Sequence, residues 1–416
     1  MLQLILTQLR ALSRFFEVIC AWVPGVTACD TAVVACGTRV TAVTPQVAGP
    51  VERAPALRAT VAAMSTIGDR KADHLAICAE EDVGFRKRAT LLGDVRLVHD
   101  ALPDLAVEDV DTSVTLFGKR LRAPLLVAAM TGGTDEAGRI NQELAGIAEE
   151  RGYGFGLGSQ RAMHVRPGST ASYRVRESAP GTLVLGNVGV VQARQMTNGQ
   201  VRTLVDEVGA DALCVHLNPA MELVQPGGDR DFSRGLETIA RLVAEVGVPV
   251  IVKETGCGLA PSVGRRLRGV GVAHVDVSGA GGTSWVGVET KRAQAAGDVR
   301  ARELGEALWD WGVPTAASVA LLAPLGFDTI VATGGVATGL DVARAIVLGA
   351  TAAGIARPVL RALVAGGRAA AVALLEGIES ELRAAMLLTG SRDVAALRRA
   401  PRVVVGELSG WMAQLG

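Results

Sequence analysis

Eight short apolar runs, each followed by glycine-rich punctuation and a helical pattern, recur between residues 124 and 357. Within each run the residues are continuously apolar rather than alternating, which is typical of a parallel strand buried on both faces. Eight such strands separated by helices predict an α/β fold, the (β/α)8 TIM barrel. The runs are Pro124–Met130, Tyr153–Gly158, Thr182–Asn187, Ala212–Leu217, Pro249–Glu254, His274–Gly279, Thr329–Thr333 and Ala352–Arg357.

One further run and one alternative fold bear on this interpretation. The ninth run, Pro314–Val319, is rich in Ala and Ser, and we expect it to lie outside the barrel. A doubly wound sheet would use similar strands, but no run is followed by the G-x-G-x-x-G fingerprint of a dinucleotide fold. The pattern therefore favours the barrel.

Charge and cysteine content narrow the class of protein. The 416 residues carry 42 basic and 42 acidic side chains, which argues against a nucleic-acid-binding surface or a polybasic membrane tether. None of the six cysteines forms a C-x-x-C pair. Arg10, Arg14 and Glu17 interrupt the most hydrophobic stretch, which argues against a membrane-spanning helix. The start lacks a basic region, which argues against a secretory signal peptide. We expect a cytoplasmic protein that binds neither nucleic acid nor membrane.

Residues 1–63 differ in kind from the rest. After Pro24 no sustained period of 2.0 or 3.6 residues remains. We predict a poorly ordered extension, or a mis-assigned start with Met64 as the working initiator; the alternative is an accessory helix or targeting segment. Residues 64–416 are the predicted barrel domain.

Polar residues cluster at the carboxyl ends of the predicted strands. In a barrel these ends converge on one mouth, where active sites lie, so the pattern predicts a single site there. The polar segments are Met130–Gly133, Ser159–Arg161, Asn187, His216–Asn218, Lys253-Glu254, Ser278 and Gly334-Gly335.

Two strand ends and one lysine indicate the ligand. Gly334–Gly339 and Ala356–Pro358 follow the seventh and eighth strands, where barrels bind phosphate through backbone N–H groups. Lys253 ends an apolar strand, so its ammonium is expected to face the mouth, where it suits an electron-rich cofactor ring. The alternative is a buried ion pair with Glu254 or Asp276.

Two further groups suggest a diphosphate and a metal. His216 and Asn218 point to the same side of a strand, and Glu222 follows as an oxygen ligand suited to Mg²⁺ beside phosphates. Before the barrel, Arg70, Lys71 and His74 offer a guanidinium fork, a point charge and an imidazole to a diphosphate.

Seven collinear segments together resemble the type 2 isopentenyl-diphosphate isomerase family of FMN-dependent barrels, from about Asp69 to the C-terminus. The resemblance implies interconversion of isopentenyl and dimethylallyl diphosphate, a redox-neutral 1,3-proton shift that needs reduced FMN, Mg²⁺ and a reductant such as NADPH. The segments are RKADH (70–74), PLLVAAMTGG (124–133), GLGSQR (156–161), HLNPAMELVQPGGDRDF (216–232), PVIVKETG (249–256), DVSGAGGTSW (276–285) and GGVATGLDVARAIVLGA (334–350).

The resemblance also implies a role for each matching residue. The flavin and its ribityl chain would be held by Ala129, Met130, Thr131, Ser159, Asn187, Lys253, Ser278 and Thr283. The FMN phosphate would bind at Gly334, Gly335, Val336, Ala337, Ala356 and Arg357. The substrate diphosphate would bind Arg70, Lys71, His74, Arg161, His216 and Asn218, with Glu222 on Mg²⁺. The family also suggests a homo-oligomer.

One departure bears on catalysis. Met221 stands where the family usually has Gln beside the metal-binding Glu, and a thioether cannot relay a proton. This leaves a flavin-binding homologue without catalysis as one alternative. Another is an FMN-dependent oxidoreductase of the α-hydroxy-acid type. Those enzymes carry His-Gly-Gly-Arg after strand six, whereas residues 278–283 contain neither His nor Arg.

Overall fold

The computed structural model describes residues 67–416, in which eight parallel strands form a closed barrel. The strands are β1 Val95–Leu97, β2 Val114–Leu116, β3 Lys119–Leu121, β4 Leu125–Val127, β5 Gly154–Gly156, β6 Val184–Gly189, β7 Ala212–Leu217, β8 Val250–Glu254, β9 His274–Asp276, β10 Thr329–Ala332, β11 Ala352–Ile355 and β12 Arg402–Val404. Strands β4 to β11 follow one another around the barrel in chain order, and β11 closes the ring against β4. The predicted (β/α)8 barrel is confirmed, because each predicted run overlaps one barrel strand.

Helices connect and surround these strands. The α-helices are α1 Ile67–Glu80, α2 Asp135–Arg151, α3 Arg161–Val165, α4 Val190–Gln195, α5 Asn198–Asp206, α6 Pro219–Val224, α7 Gly235–Glu245, α8 Pro261–Gly269, α9 Trp285–Ala296, α10 Val299–Leu308, α11 Thr315–Leu322, α12 Gly339–Leu348, α13 Arg357–Leu387, α14 Val394–Arg399 and α15 Gly406–Leu415. Short 3-10 helices lie at Leu92–Asp94, Val107–Asp109, Pro167–Tyr173 and Ala323–Leu325.

Side chains fill the barrel at the amino-terminal ends of its strands, and the barrel is open at the carboxyl-terminal ends. All residues of β4, β5, β6, β10 and β11 are buried, which explains their continuous apolar sequences. The hairpin β2–β3 closes the amino-terminal end, where Leu116, Phe117 and Leu121 join the interior cluster. Only the carboxyl-terminal end is therefore left for a ligand. The interior cluster also contains Leu126, Leu183, Leu185, Ala212, Cys214, Ile251, Val331 and Ala352.

The ninth apolar run lies outside the barrel, as predicted, but it is a helix. Helix α11 contains this run from Thr315 onward, with Pro314 as its N-cap, and all eight residues of the helix are buried. A helix buried on every side has no polar face, so its sequence resembles a buried strand.

Helix α13 is the one helix in the described part of the chain that is long and apolar enough to cross a bilayer, by length and composition alone. Its backbone leaves helical geometry at Gly366 and Gly367, so it consists of two consecutive helices. Val359, Leu375 and Leu382 on it are buried in the main core. These are the contacts of a helix that packs on the barrel.

The predictions for residues 1–63 lie outside the described residues. Those residues include the predicted extension and three of the six cysteines. The described cysteines Cys78, Cys214 and Cys257 are all free thiols.

Candidate functional site

A cavity of about 560 Å³ opens at the carboxyl ends of the barrel strands. Every residue to which the family resemblance assigns a role lines it, as does Met221, and these include the helix α1 residues that precede the barrel. The structure therefore brings together groups spread from residue 70 to residue 357. They are Arg70, Lys71, His74, Ala129, Met130, Thr131, Ser159, Arg161, Asn187, His216, Asn218, Met221, Glu222, Lys253, Ser278, Thr283, Gly334, Gly335, Val336, Ala337, Ala356 and Arg357.

The cavity floor has polar side chains on one side and only small residues on the other. Most floor residues lie two positions beyond a strand residue of the interior cluster, so their side chains face inward as well. One half carries polar groups, and the other carries only Ala and Gly, which leaves room for a flat ring. The polar half consists of Asn187, His216, Lys253, Asp276 and Thr333, and the small half of Ala128 and Gly354.

Lys253 brings a cation to this floor. Its Nζ donates to the backbone oxygen of Glu254 at 2.7 Å, and it pairs in register with Asp276 of β9. Burial raises the pKa of Asp276, and the nearby Lys253 opposes this rise. Within residues 67–416 Lys253 lies within 4.0 Å of no carboxylate oxygen, so the predicted cation, rather than the alternative ion pair, faces the cavity.

The predicted phosphate loop contains glycines that pack directly against the backbone of a neighbouring loop. Gly334 and Gly335 have φ of 95° and 77°, which favours glycine. A Cβ on Gly334 would overlap the backbone of Gly279, and one on Gly282 would overlap Gly335. The two loops can pack this closely only because none of these residues has a side chain.

The backbone donors of this loop are only partly available. The N–H groups of Ala337 and Thr338 each donate to Asp341 at 3.2 Å, and that of Gly339 donates to Glu381 at 2.7 Å. Ala337 therefore lines the cavity, but its N–H is already satisfied by the helix cap. Among the described residues the N–H groups of Gly335 and Val336 have no acceptor and remain free for a phosphate.

Arg357 has a different partner from the predicted phosphate. Its Nε donates to the backbone oxygen of Cys78 at 3.0 Å, and its Nη2 donates to that of Glu81. Arg361 similarly donates to the oxygen of Ala79 at 3.0 Å. Both guanidinium groups thus bind the carbonyls at the end of α1, and the backbone N–H of Arg357, in the first turn of α13, is what it can offer a phosphate.

Three of the cations that line the cavity lie on helices α1 and α3. Within the described part of the chain, Arg70 and Lys71 of α1 and Arg161 of α3 form no ion pair with a carboxylate. Burial lowers the pKa of Arg70, and burial together with Arg70 lowers the pKa of Lys71 to about 8. Such a cluster is costly unless an anion binds it.

His74 is held by groups that the sequence did not single out. Its Nε2 donates to Glu289 Oε1 at 2.7 Å, and Glu289 also accepts from Arg292 at 2.8 Å. The imidazole packs edge-on against Trp285 with ring centroids 5.3 Å apart. The spacing of Trp285 and Glu289, four residues apart on α9, was the one available signal that both face the same way.

Glu222 is held by three donors. Its Oε1 accepts from Asn218 Nδ2 at 2.8 Å, and its Oε2 accepts from Gln225 Nε2 at 3.2 Å and from the Asp229 N–H at 2.8 Å. Oε1 keeps lone pairs for a cation. No group of three His, Cys, Asp or Glu residues suited to a metal exists among the described residues. A Mg²⁺ here would therefore take most of its ligands from water and phosphate, which is usual for this ion.

A Mg²⁺ held by Glu222 would bind about tenfold or more weakly in Gly228→Ala, since groups that orient a metal ligand carry effects of this size. A Cβ at Gly228 would overlap the backbone oxygen of Glu222 and lie 2.8 Å from its Oε2. Titration of Mg²⁺ in the presence of diphosphate measures the change. Gly227→Ala is the matched control, because Gly227 has a positive φ of 67° but nothing within 4 Å of its Cβ position. Equal effects of the two changes would contradict the argument.

The chain matches the family model of FMN-dependent dehydrogenases over residues 63–218 and 217–403. It is 43% identical over 354 residues to the isopentenyl-diphosphate delta-isomerase of Methanosarcina barkeri, covering 85% of this chain and 96% of that protein. The protein of the same name from Nostoc sp. is 42% identical over 333 residues, covering 79% and 93%. The chain belongs to the FMN-dependent, type 2 isopentenyl-diphosphate delta-isomerase family. The family that the sequence motifs indicated is confirmed.

Solved structures of FMN enzymes share the barrel. A flavocytochrome b2 variant with sulfite bound has a TM-score of 0.60 and 20% identity, covering 83% of this chain and 84% of that chain. A mandelate oxidase variant with (S)-mandelic acid has a TM-score of 0.54 and 20% identity, covering 81% and 94%. At this identity the similarity shows the fold alone.

The cavity fits the FMN that this family uses. The hydroxyl oxygen of Thr131, which is 2% exposed, has no hydrogen-bond partner although it lies in the cavity wall. A buried hydroxyl of this kind needs a partner, and a bound flavin would supply one. The small half of the floor fits the flat ring, Lys253 supplies a cation beside it, and the closely packed glycines leave room for its phosphate.

Proposed function

We propose that this chain interconverts isopentenyl diphosphate and dimethylallyl diphosphate with reduced FMN and Mg²⁺, and that NADPH serves as the reductant. The single observation that supports the substrate is the cluster of Arg70, Lys71 and Arg161, which forms no ion pair within 4.0 Å among the described residues. A diphosphate carries the charge and the oxygen geometry that guanidinium groups bind best. The family relatives named above carry the same activity in their names.

FMN would lie across the cavity floor. Thr131 would supply the hydroxyl, Lys253 the cation and Ser278 and Thr283 further polar contacts, while the N–H groups of Gly335 and Val336 would bind the phosphate. The remaining contacts would come from Ala129, Met130, Ser159, Gly334, Ala337, Ala356 and Arg357. Reduced FMN supplies acid/base chemistry at the substrate double bond when it is bound.

The chain's own residues orient the substrate around that chemistry. Glu222 would hold Mg²⁺ against the diphosphate, and Asn218 would orient Glu222 through its amide. His74 is fixed by Glu289 at the side of the cavity where Arg70 and Lys71 lie. The apolar walls, which include Met130 and Trp285, would surround the hydrocarbon and exclude water from the carbon that gains or loses a proton.

Met221 gives this site no side-chain proton carrier beside Glu222. It lines the cavity from the first turn of α6. We expect Met221→Gln to raise the isomerisation rate or leave it unchanged, because the amide adds a hydrogen-bonding group at similar volume. Steady-state rates under anaerobic conditions measure this. A collapse of the rate would show that the thioether is itself required.

Lys71 should make substrate capture depend on pH. Its pKa, lowered to about 8, means that the ammonium is charged below that pH and neutral above it. We expect kcat/KM for isopentenyl diphosphate to fall as pH rises through about 8, approaching about tenfold per pH unit. Lys71→Arg should move this limb to higher pH because a guanidinium stays protonated. An identical limb in both proteins would exclude Lys71 as its source.

The decisive assay incubates isopentenyl diphosphate anaerobically with the FMN-loaded protein, Mg²⁺ and NADPH. Formation of dimethylallyl diphosphate supports the proposal. Tight FMN binding without turnover would instead support the homologue that has lost catalysis. Turnover of a 2-hydroxy acid would support the oxidoreductase, which the absence of His and Arg from residues 278–283 disfavours. We further propose that the protein acts in the cytoplasm and that it is a homo-oligomer. Size-exclusion chromatography with light scattering would test the oligomeric state.

A further inference from the structure

Thr315, the first residue of helix α11, contacts the predicted phosphate loop from the side away from the cavity. Its side chain is fully buried, and its hydroxyl donates to the backbone oxygen of Gly334 at 2.5 Å. The oxygens of Ala280 and Thr333 lie farther from this hydroxyl, both at 3.4 Å. A hydroxyl has one hydrogen to donate, so Gly334 is its main acceptor. Gly334 and Gly335 line the cavity, whereas Thr315 does not.

Helix α11 does not need this hydroxyl for its own start. The N-cap residue is Pro314, which makes no side-chain capping bond. The first turn closes through the backbone, because the N–H of Ser318 donates to the oxygen of Pro314 at 2.9 Å. The N–H of Thr315 donates to the oxygen of Ala280 at 3.2 Å. The hydroxyl therefore connects α11 to the phosphate loop instead of capping the helix.

This hydrogen bond fixes the direction of the peptide between Gly334 and Gly335. The peptide is trans, so its carbonyl oxygen and its N–H point in opposite directions. Because Thr315 holds the oxygen on the buried side, the N–H of Gly335 is directed toward the cavity. This N–H has no acceptor among the described residues. It is one of the two N–H groups that remain free for the FMN phosphate.

A peptide between two glycines needs such a support. Glycine adopts positive and negative φ about equally, so this peptide has more accessible orientations than one between residues with side chains. The backbones of Gly279 and Gly282 pack against the loop and limit where it lies. Within residues 67–416, however, the Gly334 oxygen accepts a hydrogen bond from Thr315 alone. The neighbouring glycines thus hold the loop in place, and Thr315 sets which way the peptide faces.

We propose that Thr315 is a positioning residue for the FMN phosphate. By holding the Gly334 oxygen, its hydroxyl presents the N–H of Gly335 to the phosphate. A peptide whose oxygen accepts a hydrogen bond is polarised, which makes its N–H a stronger donor. The inference rests on the part of the proposed function that places the phosphate at Gly335 and Val336. It concerns binding of the cofactor and is independent of the reaction catalysed.

Thr315→Val tests this role by comparing FMN with riboflavin, which lacks the phosphate. The substitution keeps the branched shape of the side chain and removes the hydroxyl. We expect the full-length protein, freed of flavin, to bind FMN about tenfold more weakly and riboflavin with unchanged affinity, since hydrogen bonds to charged groups carry effects of this size. Flavin fluorescence titration measures both dissociation constants. A purely structural role would weaken both flavins equally, and an unchanged ratio would overturn the proposal.

Two matched variants control for the hydroxyl and for stability. Thr315→Ser keeps the hydroxyl and should retain the wild-type preference for FMN. Thr112→Val removes another buried hydroxyl, which donates to the oxygen of Arg122 at 2.8 Å and lies outside the cavity lining. It should lower the free energy of unfolding without changing the ratio of the two flavin affinities. Loss of the FMN preference in either control would contradict the proposal.

Thr315→Cys provides a second test if the valine variant does not fold. A thiol is a weaker donor than a hydroxyl, so the preference for FMN over riboflavin should fall, but by less than tenfold. A wild-type preference in the folded cysteine variant would overturn the role of Thr315. Equal affinities of the wild-type protein for FMN and riboflavin would instead refute the placement of the phosphate in the proposed function, and the inference with it.

Discussion

Gly334→Ala protein should be purified without FMN. The new Cβ would overlap the backbone of Gly279, and φ of 95° is unfavourable for alanine. Backbone strain and overpacking together should lower the free energy of unfolding by about 3 kcal/mol. Displacing the loop removes the two free N–H donors at Gly335 and Val336, which should weaken FMN binding about 100-fold. Flavin fluorescence titration and denaturant unfolding measure the two effects.

Gly326→Ala is the control for this change. Gly326 also has a positive φ, 74°, but nothing lies within 4 Å of its Cβ position and it is not among the cavity-lining residues. It should lose only about 1 kcal/mol of stability and retain FMN. If Gly334→Ala also retained FMN at wild-type affinity, the phosphate loop would have to lie elsewhere.

Lys253→Met should produce the second large effect. The substitution takes a nearby cation away from Asp276, which is 7% exposed and keeps its hydrogen bonds from Thr333 and Ser278, so the free energy of unfolding should fall by about 1–3 kcal/mol. FMN affinity should fall as well, by about tenfold or more, because the ring loses the one lysine on the cavity floor. Unfolding in denaturant and flavin titration report these separately.

The double variant Lys253→Met/Asp276→Asn distinguishes the two losses. Neutralising Asp276 removes the buried charge, so stability should largely return while FMN affinity stays low. Recovery of both would mean that Lys253 acts only by balancing Asp276. Unchanged FMN affinity in Lys253→Met alone would remove this lysine from the cofactor site.

The barrel could be predicted because each of its strands has a recognisable sequence pattern of its own. Strands buried on both faces have apolar sequences without alternation, and their carboxyl ends must meet at one mouth. The same reasoning placed Lys253 and His216 at the cavity. It could not separate Pro314–Val319 from a strand, since helix α11 is buried on all sides.

The partners of the site residues could not be predicted in the same way. His74 pairs with Glu289, 215 positions along the chain, and Arg357 binds the oxygen of Cys78, 279 positions away. Such contacts depend on how α1 crosses the barrel mouth, which no local pattern encodes. One difference was local: Thr338 and Asp341 form a capping box, which explains why the N–H of Ala337 is already occupied.

The attachment of α1 has a consequence for the order of events. Arg357 begins the helix that follows β11, beside the predicted phosphate loop, and its guanidinium supports the end of the helix that presents Arg70 and Lys71. FMN whose phosphate bound the first turn of α13 would therefore stabilise the position of α1, and with it Arg70 and Lys71. Holoprotein should consequently capture diphosphate faster than apoprotein, so that assembly is ordered, with the cofactor first.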